Sequence, residues 1–185
     1  MLTAIKRLIY LFILCLVLYV LLTQANTFAR YIYPFPYREL VVSEAGKYGI
    51  DPLLIVSIIR VESSFNRTAR SEKGAMGLMQ IMPETGFWVA EQIGLENFSD
   101  EAFYDPLVNI SLGTWYLNDL LRQFNADLYP VLAAYNGGRG HVKRWLEDGV
   151  WDGTGDSLEA IPFPETRSFI RKVERTYKRY QKIYR

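Results

Sequence analysis

The chain has 185 residues, half of them hydrophobic, and a formal net charge of +1 at pH 7. With an N-terminal apolar segment set aside, about one domain remains, which is long enough to bury a core. This balance of charge gives no support to nucleic-acid binding, which usually requires a basic domain. Because Cys15 and His141 are the single cysteine and histidine, a disulfide framework and a Cys/His metal cluster are excluded.

The first predicted element is the apolar run from Leu8 to Leu22, which Lys6 and Arg7 precede. The run is short for a membrane span, which needs about 20 residues. It lies at the upper limit of a signal-peptide hydrophobic region, about 7–15 residues. We therefore expect residues 1–29 to form a transmembrane signal anchor, with a cleaved signal peptide as the alternative. In both cases the basic residues stay inside and the rest of the chain is exported, either anchored to the bacterial cell membrane or released.

Residues 30–37, with the sequence RYIYPFPY, combine two prolines with several aromatic residues. This composition predicts a stiff tether. The exported domain is then expected at residues 38–185.

Helix-start and helix-end signals recur throughout the exported part, and no segment shows strand-like alternation. Asp51-Pro52 and Asp105-Pro106 each pair an N-cap residue with a proline suited to the first helical turn. The predicted helices cover residues 38–48, 52 to 63 or 64, 83–94, 106–124, 129–136, 140–148, and 165 to near the C-terminus. The sequence therefore predicts an all-α domain with long functional loops.

Glu62 is the first candidate for chemistry. At about 100° per helical residue it falls in the same arc as Ile55, Ile58 and Ile59. Burial on an apolar face and proximity to a helix C-terminus both disfavour the carboxylate, so both raise its pKa, as a general acid requires. The alternative is a helix-end glutamate that pairs with a neighbouring arginine.

Four motifs follow one another in the chain: ESSF from Glu62, GAMGLMQIMP from Gly74, AAYNGG from Ala133 and IPFPETR from Ile161. In order and spacing they resemble the motifs of the soluble lytic transglycosylase (SLT) catalytic domain, a relative of goose-type lysozyme, over residues 38–182. The resemblance implies a compact, lysozyme-like helical fold with an active-site cleft. It also implies an enzyme that cleaves the MurNAc–GlcNAc β-1,4 bond of peptidoglycan strands, leaves 1,6-anhydroMurNAc ends, and needs no metal or cofactor.

Roles carried over from the resemblance fall on six residues. Glu62 matches the single catalytic acid/base, and Tyr135 matches a tyrosine whose hydroxyl reaches that glutamate. The other matches are Ser71, close to the bound sugar, Gln80 and Met82, which position the sugar, and Asn136, which lines the cleft or caps a helix. Tyr135 and Met82 could instead be core residues.

Other residues of these motifs have competing explanations. Gly74 and Gly77 could be turn glycines, although close approach of the backbone to a sugar is the favoured reason. Glu165 and Arg167 are expected to have structural roles, as a helix-start acid and an ion-pair partner. Asn109 begins a glycosylation sequon that we interpret as a chance match in a bacterial protein.

Two alternatives to a transglycosylase remain open. A muramidase on the same fold would need a second carboxylate to hold a water, and Glu72, Glu84 and Asp105 are available. A wall-binding module with an inactive site is the other alternative, which the intact set of Glu62, Gln80 and Tyr135 disfavours.

Overall fold

The computed structural model describes the backbone of residues 2–185 and the side chains of residues 5–21, 24 and 27–185. The helices are α1 (Leu2–Ile32), α2 (Arg38–Tyr48), α3 (Pro52–Ser63), α4 (Pro83–Gln92), α5 (Pro106–Gln123), α6 (Leu128–Gly137), α7 (Arg139–Glu147) and α8 (Pro164–Tyr184). Short 3₁₀ segments at Asp100–Tyr104 and Leu158–Ala160 lie in predicted loops. The all-α class is confirmed, and the described residues contain isolated β-bridges but no strand.

The chain divides into two compact units, one made of residues up to Phe35 with Arg179–Arg185, the other of Pro36–Lys178. In the first unit α1 continues to Ile32, so the helix extends three residues into the predicted tether. It ends just before Tyr33, because Pro34 disfavours the helical conformation of the residue that precedes it. In the described part of the chain, no helix has both the length and the apolar character that a membrane crossing requires.

Aromatic contacts within the first unit join the segment after α1 to the C-terminus. The Tyr180 hydroxyl donates to the Pro34 carbonyl at 2.6 Å, and the Tyr184 hydroxyl donates to the Tyr33 carbonyl at 2.8 Å. Phe35 packs edge-on against Tyr184, with ring centroids 5.7 Å apart. These contacts give residues 33–35 fixed partners.

In the second unit, the core is built around α3, where Ile55, Ile58 and Ile59 are fully buried as the periodicity predicts. The predicted N-caps are also confirmed. Asp51 Oδ1 accepts from the backbone N–H of Leu53 at 2.9 Å, and Asp105 Oδ1 accepts from that of Val108 at 3.1 Å. These caps satisfy amides at the first turns of α3 and α5, so the helix that carries Glu62 starts at a defined residue and ends near the loop described below.

Candidate active site

Glu62 lies in the last turn of α3, and Ser64, which caps the C-terminus of this helix, has a left-handed conformation with φ 50°. It is half-buried in the wall of a cavity of about 430 Å³. The wall brings together the six residues selected from the sequence, which are Glu62, Ser71, Gln80, Met82, Tyr135 and Asn136. They come from α3, α6 and the segment between α3 and α4, so the cavity forms only when these elements pack.

The protonation of Glu62 is set by its surroundings. Burial, and to a lesser degree the negative charge of Glu165, raise the pKa of Glu62 from its ordinary value of 4.5 to about 8. An ion pair with an arginine would have the opposite effect, so the helix-end ion-pair alternative has no support. At neutral pH Glu62 is therefore mainly a carboxylic acid that can donate a proton.

Tyr135 does not make the hydrogen bond that the family resemblance implies. Its hydroxyl donates to the backbone carbonyl of Met79 at 2.8 Å, so its only proton is not available to Glu62. Its ring lies parallel to Phe169, with centroids 6.2 Å apart. Burial, followed by the charge of Glu62, raises the pKa of Tyr135 well above 10. Tyr135 is thus a neutral side chain that lies close enough to Glu62 for an electrostatic effect, and its hydroxyl is hydrogen-bonded to the loop and not to the acid.

Gln80 and Ser71 hold the loop that forms one side of the cavity. The Gln80 amide nitrogen donates to the carbonyls of Gly77 at 2.8 Å and Ala69 at 3.2 Å, while its backbone has a φ of 48°. Such a conformation is uncommon for a residue other than glycine and often marks a functional site. The Ser71 hydroxyl oxygen accepts from the backbone N–H of Ala75 at 3.0 Å. Both side chains support the loop as well as line the cavity.

Met82 and Asn136 border the cavity in different ways. Met82 precedes α4 and exposes its apolar side chain, which is not a core position. Asn136 lies within α6, where its Oδ1 accepts from the Thr166 hydroxyl of α8 at 2.9 Å. Its side chain therefore joins two helices and does not cap one, which favours the cleft-lining alternative.

Asn109, whose sequon is a chance match, holds this loop from below. The side chain is fully buried. Its Oδ1 accepts from the Met79 N–H at 2.7 Å, and its Nδ2 donates to the carbonyls of Met76 at 3.1 Å and Phe103 at 2.9 Å. The position of Asn109 on the apolar face of α5 is the sequence feature that could have predicted this role. An amide side chain buried there needs several hydrogen-bond partners.

Backbone conformation and protein packing constrain the two loop glycines. Gly77 has a φ of 78°, and a Cβ there would collide with the Asn109 amide and the Phe103 carbonyl. Gly74 has a φ of 91° and open space where a Cβ would be. Packing against Asn109 therefore requires a glycine at position 77, the positive φ favours a glycine at position 74, and the approach of a sugar to this loop stays a prediction.

Three charged residues in the cavity wall lie outside the set of six predicted site residues. Glu72, Lys73 and Glu165 all line it, and the Lys73 ammonium lies 2.5 Å from Glu165 Oε2. Glu165 at the start of α8 is a helix-start acid in an ion pair, as expected, and its negative charge also raises the pKa of Glu62. Its neighbour in the motif, Arg167, is structural as expected and donates to the Ile161 carbonyl at 2.8 Å.

The cavity continues in two directions and so forms a cleft. A space of about 220 Å³ shares Gln80, Met82 and Tyr135 with it and reaches Tyr116. On the other side, a space of about 390 Å³ shares Lys73 and Glu165 and reaches Phe163. A separate cavity of about 450 Å³ lies between α5 and α7, and its lining includes none of the six predicted site residues. An elongated, partly polar cleft suits an extended polymer better than a compact small molecule.

Comparison with known proteins gives a consistent result. The profile of the transglycosylase SLT domain matches residues 39–154. The soluble lytic murein transglycosylase of Escherichia coli K12 is 34% identical over 145 residues, which cover 76% of this chain and 22% of that protein. The membrane-bound lytic murein transglycosylase C of Actinobacillus pleuropneumoniae serotype 5b is 33% identical over 168 residues, covering 80% and 46%. The chain thus spans about a fifth to a half of the length of these relatives.

Solved structures agree with the sequence comparison. An inactive glutamate-to-glutamine variant of a lytic transglycosylase from Pseudomonas aeruginosa aligns with a TM-score of 0.72 and 37% identity, over 81% of this chain and 25% of that one. The 70-kDa soluble lytic transglycosylase of Escherichia coli aligns with a TM-score of 0.74 and 31% identity, over 83% and 25%. These neighbours confirm that the second unit has the fold expected from the sequence.

Proposed function

The chain belongs to the transglycosylase SLT family, and on that premise we propose that it is a peptidoglycan lytic transglycosylase that cuts the MurNAc–GlcNAc β-1,4 bond without water. The supporting observation is Glu62, a carboxyl group whose pKa is raised to about 8 in the wall of an elongated cleft. Related proteins are named as lytic transglycosylases, one of them inactive as a glutamate-to-glutamine variant.

In the first step, protonated Glu62 donates its proton to the glycosidic oxygen, and the bond from that oxygen to C1 of MurNAc breaks. The positive charge that develops at C1 is stabilised by the carbonyl oxygen of the substrate's own 2-acetamido group, as in substrate-assisted glycosidases. Glu62 is left as a carboxylate. The environment that raises its pKa makes this carboxylate a stronger base than an exposed glutamate would be.

In the second step, the Glu62 carboxylate takes the proton of the C6 hydroxyl of the same MurNAc, and O6 attacks C1. The new bond closes a 1,6-anhydro ring, and Glu62 regains the proton that it lost. No water is consumed. Because attacking oxygen and reacting carbon belong to one sugar, the step has the advantage of an intramolecular reaction.

The remaining cleft residues position the substrate sugar. Met82 offers an exposed apolar surface at the junction of two spaces of the cleft, suited to the face of a sugar ring. Ser71 and Asn136 carry polar atoms that can bind hydroxyl or acetamido groups. Gln80 keeps its amide oxygen as an acceptor, because the loop carbonyls occupy only its amide nitrogen.

The test is product analysis on purified sacculi. Wild-type protein should release muropeptides with 1,6-anhydro ends, and Glu62→Gln should release none while it keeps the fold, because an amide cannot donate and reclaim the proton. Glu84→Gln is the matched control, since Glu84 lies in the first turn of α4 and outside the cavity. Wild-type activity in Glu62→Gln would refute the single-glutamate mechanism.

The same product analysis distinguishes a transglycosylase from the muramidase alternative. Glu72 and Glu165 line the cavity with Glu62, so a second carboxylate is available in the cleft, although Glu165 is paired with Lys73. Reducing MurNAc ends would indicate hydrolysis by such a pair. No cleavage by wild-type protein, with retained binding to sacculi, would indicate an inactive wall-binding module.

The proposed location is the outer face of the bacterial cell membrane, reached by export and retained through α1. Along α1, side chains from Leu8 to Leu21 are exposed and almost all apolar, and a lipid phase would cover them at a gain of about 25 cal/mol per Å². A C-terminal reporter should be active only outside the cytoplasm. Recovery of the protein in the membrane pellet tests retention against a cleaved signal peptide.

A further inference from the structure

Lys73 occupies an unusual position in the cleft. Among the described residues that line the Glu62 cavity it is the one cation, beside the acids Glu62, Glu72 and Glu165. With Glu62 protonated, these side chains sum to a net charge of −1. A cavity of that sign repels an anion unless a cation is placed to meet it.

The substrate of the proposed function is an anion near the reacting sugar. MurNAc carries a lactyl group on O3, which is a free carboxylate on strands without peptide. On substituted strands it is an amide that leads to the carboxylates of the stem peptide. We propose that Lys73 is a specificity-determining residue that binds a carboxylate of this lactyl-peptide branch. This inference rests on the proposed function.

Glu165 marks where such a carboxylate would bind. Its Oε2 lies 2.5 Å from the Lys73 ammonium, across 92 residues of sequence, so the side chains of a loop and of α8 meet at the cleft. A substrate carboxylate has the same chemistry as the glutamate and would replace it. The Glu165 carboxylate thus occupies the position at the Lys73 ammonium that the substrate carboxylate would take.

The pair is also exposed enough to exchange partners. The side chains of Lys73 and Glu165 are 74% and 66% exposed, and an exposed ion pair contributes little to stability. A buried pair could not open in this way, because each charge would be left without solvent or partner. Lys73 and Glu165 border both the Glu62 cavity and the adjoining space near Phe163, so the ammonium is accessible from either.

Binding measurements on glycan strands test the proposal without depending on turnover. All proteins carry Glu62→Gln to prevent cleavage. The probes are strands stripped of peptide by an amidase and strands that retain stem peptides, each with free carboxylates or with carboxylates converted to methylamides. The measured quantity is the ratio of Kd for neutralised strands to Kd for free-carboxylate strands of the same type.

With Lys73 present, the ratio should be about 2 to 5 on at least one strand type, as for one exposed charge pair. It should fall to about 1 in Lys73→Met and be retained in Lys73→Arg. The strand type that shows the effect identifies the carboxylate as lactyl or peptidic. Glu165→Gln should raise the ratio, because it removes the competing internal carboxylate.

Lys143→Met is the matched control, since Lys143 is an exposed lysine on α7, 3.8 Å from Glu147 and outside the Glu62 cavity. It should leave the ratio unchanged. A ratio near 1 with Lys73 intact, or a ratio that survives in Lys73→Met, would overturn the inference. A lowered melting temperature in Lys73→Met with an unchanged ratio would also overturn it and assign the pair a structural role. Products from the protein with Glu62 intact test the proposed function separately.

Discussion

Replacing Glu62 with glutamine should stabilise the folded protein, and the gain should grow with pH. The folded-state pKa of Glu62 is about 8, against an ordinary value of 4.5. Below pH 4.5 both states bind the proton, so the group contributes no pH dependence. Between pH 4.5 and 8 the unfolded chain releases the proton while the folded chain keeps it, so stability falls as pH rises.

The size of the effect follows from the two pKa values. Each pH unit in that window costs about 1.4 kcal/mol of unfolding free energy, so the loss is about 3 kcal/mol at pH 7 and about 5 kcal/mol above pH 8. Glutamine does not titrate and avoids this loss. At about 2–4 °C per kcal/mol for a chain of this size, Glu62→Gln should raise the melting temperature by about 6–12 °C at pH 7.

The assay is urea and thermal unfolding of both proteins between pH 4.5 and 8.5. Other titrating groups are common to the two proteins and cancel in the difference between them. That difference should widen steadily with pH and level off above pH 8. A constant difference across the range would refute the reasoning, because it would show that the Glu62 pKa is the same in the folded and unfolded states.

Three further predictions concern residues that line or support the Glu62 cavity. Glu165→Gln removes a negative charge that raises the pKa of Glu62, so the alkaline limb of the kcat/KM profile should move to lower pH. A shift to higher pH would contradict this prediction. Glu159→Gln is the control, because Glu159 lies outside the cavity. Gly77→Ala should lower the unfolding free energy by about 2–4 kcal/mol, because the new Cβ collides with Asn109. Gly74→Ala should lower it by about 1–2 kcal/mol, because there only the positive φ is unfavourable. Equal losses in urea unfolding would be inconsistent with this difference in packing. Tyr135→Phe removes the hydrogen bond to the carbonyl of the buried Met79. The loss of this partner should lower the unfolding free energy by about 1–3 kcal/mol, with less than about a tenfold change in rate on sacculi. A larger loss of rate at unchanged stability would show that the hydroxyl acts on the acid in the bound complex.

Local patterns in the sequence were sufficient for the helices and for the acid. Capping residues such as Asp51 and Asp105 bond to backbone amides within a few residues of their own position. The starts of α3 and α5 could therefore be predicted from the local sequence. The burial of Glu62 was predicted from helical periodicity, which places it in the same arc as Ile55, Ile58 and Ile59, and all three isoleucines are fully buried. Family motifs added the set of residues that meet in the cavity.

What the sequence could not predict depends on contacts between distant segments. Glu165 reaches the cavity only because the start of α8 packs near the loop that carries Lys73. Likewise, Tyr135 bonds to Met79 and not to Glu62, and Asn109 organises the loop across more than 30 residues of chain. Periodicity says which face of a helix is buried, but a hydrogen bond needs two atoms within about 3 Å and in the right direction. Only the packed tertiary structure decides which distant groups satisfy that condition, and with it the charge that surrounds the acid.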